Sequence, residues 1–67
     1  MENETCEKLR LLISVINKNR REVVKLIHKD VEEMKDYSYN FGRLGGIDIC
    51  LSLAMDLYLK EARKNER

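Results

Sequence analysis

The sequence predicts an all-α fold: a long antiparallel helical hairpin that dimerises into a four-helix bundle. Three observations lead there. Apolar residues recur at helical spacing along the first half of the chain. None of the 67 residues is a proline, so nothing forces a helix to stop before the glycines at 42, 45 and 46. The final segment is apolar over more of its circumference than one neighbouring helix covers.

The first helix is expected over about residues 4–36. On a helical wheel Cys6, Leu9, Leu12, Ile13 and Ile16 share one face, and Val23, Val24, Ile27, Val31 and Met34 form a second stripe of the same kind. This is the i, i+3, i+4, i+7 pattern of an amphipathic helix. Between the stripes lies Asn17-Lys18-Asn19-Arg20-Arg21. Asn19 followed by Glu22 imitates a capping box and could start a new helix. That break would make a monomeric three-helix bundle, the alternative architecture. The two stripes stay in phase within about 20° through the polar stretch, which a true turn has no reason to preserve. One continuous helix is therefore expected. Its weak point is Arg20, inside the apolar stripe, whose aliphatic stem can cover apolar surface while the guanidinium reaches solvent or an acid.

A turn is expected over about residues 37–46 and a second helix over about 47–64. Asp36 to Asn40 is rich in residues that bond their own backbone, and glycine costs about 1 kcal/mol relative to alanine inside a helix. Both favour a loop that includes the glycines. A helix starting as early as Ser38 would instead put Gly42 and Gly46 on one face, where they permit a close helix crossing.

In the second helix Ile47, Cys50, Leu51, Ala54, Met55, Leu57 and Tyr58, with Leu53, sweep roughly 200° of the wheel, where about 100° suffices for one neighbour. Only Asp48, Ser52, Asp56, Lys60 and Arg63 form a polar line, flanked by Ile49 and Leu59. The first seven residues are the expected self-association surface. Small size argues the same way. A chain this short buries only about 60% of the surface its unfolded form exposes. Such domains usually lean on disulfides, a metal or a partner subunit. The two cysteines are too few for a disulfide scaffold, and no signal-peptide pattern precedes them, so they are expected as buried thiols in the cytoplasm. In the hairpin they would lie roughly 35 Å apart along the axis, far beyond bridging distance.

No cofactor, metal or catalytic constellation is indicated. His28 has only Glu32 one turn away, and two ligands do not make a zinc site. No apolar run reaches the ~20 residues needed to span a bilayer. Acids and bases nearly balance, at a net charge of +1, which argues against a dedicated nucleic-acid binder. An unidentified larger protein is the expected partner besides a second copy. Its contacts are placed on the basic run Lys18, Arg20, Arg21, Lys25 and Lys29 and on the aromatics Tyr37, Tyr39 and Phe41 near the turn, tyrosine being favoured in binding hot spots. The alternatives for these groups are a solvated face with pairs such as Glu22–Lys18 and Lys29–Glu33, and aromatic packing at the end of a bundle. A different reading of the basic run is a small nucleic-acid-associated regulator.

The stretch Tyr39-Asn-Phe-Gly42-Arg-Leu-Gly-Gly46-Ile, leading into an apolar helix, resembles small uncharacterised helical proteins of Gram-positive bacteria and their phages. In these an aromatic precedes glycines four residues apart before a final amphipathic helix. The resemblance implies an accessory or regulatory role, and a phage or prophage origin.

Overall fold

In a computed structural model, describing residues 3–65, the chain is two long helices folded back on each other: α1, Glu4–Glu32, and α2, Ser38–Asn65. Its extents are 53 × 14 × 12 Å. No strand occurs among the described residues.

Helix α1 starts at an Asn3 cap. The Asn3 carboxamide oxygen accepts from the Cys6 backbone N–H at 2.8 Å, satisfying a donor that the first turn leaves orphaned. The helix then runs unbroken through Asn17–Asn19, so the capping-box reading and the three-helix bundle are overturned. The in-phase stripes proved the stronger signal.

Both helices bury residues at alternating spacings of three and four. Cys6, Leu9, Ile13, Ile16, Arg20, Val23, Ile27 and Asp30 are buried or half-buried on α1, and Asn40, Leu44, Ile47, Leu51, Ala54, Tyr58 and Glu61 on α2. This is a coiled-coil seam, in which a narrow line of knobs faces the partner helix. Leu12, Val31 and Met34, assigned to the α1 stripe from the wheel, stand exposed beside it. Among the described residues Cys6, Val23 and Ala54 are the buried hydrophobic core.

Polar contacts cross the seam at three heights. Near the turn Asn40 Nδ2 donates to Asp30 Oδ2 at 2.9 Å. At mid-height Arg20 Nε donates to Asp48 Oδ1 at 2.7 Å, its stem lying in the seam and its head reaching an acid. At the open end Asn3 Nδ2 donates to Glu61 Oε1 at 2.9 Å. These contacts fix the register in which the apolar layers meet, a role polar seam residues serve in coiled coils.

The boundaries near the turn differ from the sequence expectation. Helix α1 ends at Glu32 rather than about 36, the turn is 33–37 rather than 37–46, and α2 begins nine residues before 47. The α1 terminus is a Schellman motif: Lys35 N–H donates to Asp30 O at 2.8 Å and Met34 N–H to Val31 O at 3.1 Å. Met34 sits in the left-handed region at φ 57°, the position glycine normally fills. No glycine or asparagine marks this stop. A left-handed conformation costs a non-glycine residue about 1 kcal/mol, and Met34, 94% exposed, gains no burial in return. Met34→Gly is expected to raise the melting temperature by about 4–8 °C, measured by circular dichroism. An unchanged or lower value would contradict this backbone assignment.

The three glycines are helical, none with positive φ. A Cβ built on any of them meets no atom within 4 Å. The loop reading of Gly42–Gly46 is therefore replaced by the early-start alternative, with both glycines on one outward face of α2.

Candidate interaction surface

The seam divides the expected self-association surface. Ile47, Leu51, Ala54 and Tyr58 face α1 within the hairpin. Cys50, Met55 and Leu57 stay exposed and are joined by Ile49, Leu53 and Leu59, which are exposed large apolar residues too. The alternating spacing from Leu44 to Tyr58 is the signal that separates the two sets. The wheel alone, apolar over most of its turn, does not. Cys50 departs from the expected buried thiol: Cys6 is buried but Cys50 is exposed.

Open grooves run along the flanks of the hairpin. One, about 510 Å³, has Ile13, Met55, Tyr58 and Leu59 along its floor and Arg10, Ser14, Asn17 and Arg21 along its α1 wall. Another, about 380 Å³, lies between Ile16 and Asn19 of α1 and Arg43, Gly46, Ile47 and Cys50 of α2. Both volumes fall in the size range of ligand sites, but both are open channels between two helices rather than enclosed cavities.

Not all of the basic run forms one patch. Arg20 is held in the seam by Asp48. Lys18, Arg21, Lys25 and Lys29, at i, i+3, i+7 and i+11, make one stripe on the outer surface of α1, from which Arg20 alone departs. The expected Glu22–Lys18 and Lys29–Glu33 pairs are not among the ion pairs of the described residues. Those that form include Lys8–Glu4, Lys60–Asp56, Lys64–Glu61 and Lys35–Glu33. Because these are exposed on at least one side, each adds little to stability.

At the tip, Tyr37, Tyr39 and Phe41 are all exposed. The Tyr37 and Phe41 rings meet edge to face at 6.2 Å, and the Arg43 guanidinium lies 5.8 Å from the Tyr39 ring centre. The rings thus brace one another and a cation rather than closing the bundle end. Asp36 ties the turn to α2, accepting from the Ser38 hydroxyl at 2.6 Å and the Ser38 N–H at 2.9 Å.

No family model, curated protein or solved structure matches this chain. The surface must be read from its own chemistry. No three His, Cys, Asp or Glu side chains among the described residues come together to hold a metal. His28 is exposed. Among the described residues no helix is long and apolar enough to cross a membrane.

The turn carboxylates respond to pH. The Ser38 hydroxyl and N–H hold the Asp36 carboxyl below its ordinary range, and the Lys35 ammonium does the same for Glu33. A lowered carboxylate contributes stability above its unfolded value and loses it as pH falls through its folded value. Acidification from about pH 5 to pH 2 should therefore destabilise the turn. Asp36→Ala should melt lower at neutral pH and lose less on acidification than the wild type. Parallel pH profiles for the two proteins would count against this role for Asp36.

Proposed function

We propose that this chain is a non-catalytic protein-binding module, a small inhibitor, adaptor or regulator that acts through helix–helix contacts. Its working form is a dimer of hairpins, a four-helix bundle. One observation carries the reading: among the described residues the hairpin buries Cys6, Val23 and Ala54 and leaves fourteen large hydrophobic residues exposed. Exposed apolar surface of that extent marks interaction sites, and a closed two-fold dimer is the commonest way to cover it. The resemblance of the Tyr39–Ile47 stretch to small proteins of Gram-positive bacteria and phages supports an accessory role.

The second partner, a larger protein, is assigned to what the dimer leaves open. The aromatic tip of Tyr37, Tyr39 and Phe41 offers hot-spot side chains. The Lys18–Arg21–Lys25–Lys29 stripe offers cations to an acidic surface. Sedimentation equilibrium in reducing buffer tests the reading: twice the chain mass of 7.9 kDa is expected. A monomer at every concentration would remove the dimer and leave the apolar surface to a foreign helix.

The same stripe favours a second reading, contact with nucleic-acid phosphates. Three phosphate contacts would give a slope of about −2.7 in log affinity against log salt on duplex DNA. Arg21→Ala should then lower the slope by about one contact. No binding at low salt would dismiss this reading.

A further inference from the structure

The outward face of α2 carries a second seam. Gly42, Gly46, Ile49 and Leu53 recur at spacings of four, three and four, and all four are exposed. Ile49 is 64% and Leu53 61% accessible. No charged residue occupies this line until Asp56 and Lys60, which pair with each other at 3.2 Å and end it. The hairpin itself makes no use of the line. Each glycine costs the helix about 1 kcal/mol, none needs a left-handed backbone, and no other part of the hairpin comes within 4 Å of where a Cβ would stand.

A rod of 53 × 14 × 12 Å exposes more surface than a compact chain of the same mass, enough to accommodate a protein interface. A compact folded chain of 7.9 kDa exposes about 4,400 Å². This one exposes 5562 Å². The excess, about 1,100 Å², exceeds the ~800 Å² that each partner contributes to a stable protein interface. A second copy brings a matching face with no further requirement, because an antiparallel two-fold sets large residues opposite small ones.

We infer that a second copy docks on this outward face of α2, the two α2 helices crossing antiparallel between Gly46 and Ile49. Ile49 of each copy packs over Gly46 of the other, and in the same register Leu53 packs over Gly42. The missing side chains let the backbones approach and receive the two large residues as knobs. The inference rests on the self-association proposed above and specifies its geometry. It also leaves the groove beside Arg10 and Arg21, and the stripe of Lys18, Arg21, Lys25 and Lys29, outside the contact.

Substitution at Gly46 separates the two levels because its effects have opposite signs. Alanine or leucine there fits the open space of the isolated hairpin and improves helix propensity, so the dilute protein should melt no lower than the wild type. In the dimer the added side chain fills the place of Ile49. The dimer dissociation constant should rise at least tenfold in Gly46→Leu and less in Gly46→Ala, read by sedimentation equilibrium over a concentration series. Leu53→Glu should dissociate the dimer from the other side of the same contact. A wild-type dimer whose dissociation constant is indifferent to Gly46→Leu and Leu53→Glu would overturn this geometry while self-association stands. A wild-type monomer throughout would overturn both.

Discussion

Val23→Asp is expected to abolish the fold, with loss of the helical circular dichroism signal at neutral pH. Val23 lies at mid-height in the seam with 1% of its surface accessible. An ionised carboxylate there has no cation to meet, since Arg20 already pairs with Asp48. Burying it unpaired costs several kcal/mol, and a core of this size rarely supplies more than about 3–5 kcal/mol in all. Val31→Asp is the control. Val31 is on the same helix but exposed, and surface changes of that kind stay within about 0.5 kcal/mol. If Val23→Asp melts within a few degrees of Val31→Asp, the seam has been drawn on the wrong face of α1.

Leu57→Glu should change mass rather than fold. Leu57 stands outside the hairpin seam, one turn beyond Leu53, and is 54% exposed. In the isolated hairpin a glutamate there is solvated and a good helix former. In the dimer it puts a charge beside an apolar contact, where desolvation opposes it. The expected result is a helical monomer of about 7.9 kDa whose melting no longer depends on concentration. Leu51→Glu provides the contrast. Leu51 is in the seam against α1, so its substitution should lower helicity at every concentration. A dimer that survives Leu57→Glu with its affinity intact would show that this side of α2 is not the interface.

Much of the hairpin was legible in the sequence. Phase continuity across Asn17–Arg21 identified one helix, and the conflict at Arg20 resolved as its long side chain allowed, stem inward and guanidinium on Asp48. The turn was not legible, for two physical reasons. Helix α1 stops at a methionine in a conformation that glycine prefers, so the usual punctuation is missing. Three glycines fall within five residues near the start of α2, so propensity favours a loop where the chain makes a helix. The candidate surface was legible in its existence and only partly in its membership. Angles on a wheel rank residues by direction. They do not say which of two apolar directions the chain's own partner takes. That information was carried by the alternation of three and four that runs through Leu44, Ile47, Leu51, Ala54 and Tyr58, with polar Asn40 and Glu61 in line at its ends.

The cross-seam contacts have a consequence for how the hairpin opens. Their partners are 10, 28 and 58 residues apart in sequence, and each closes a loop already shortened by the one before it. Loop-closure entropy grows only logarithmically with length, so once Asp30 meets Asn40 the rest can close stepwise like a zipper, with low contact order and fast kinetics. Opening runs in the reverse direction. Amide hydrogen exchange should be fastest at the Asn3–Glu61 end and slow progressively toward the turn, making the hairpin a graded rather than an all-or-none object along its length.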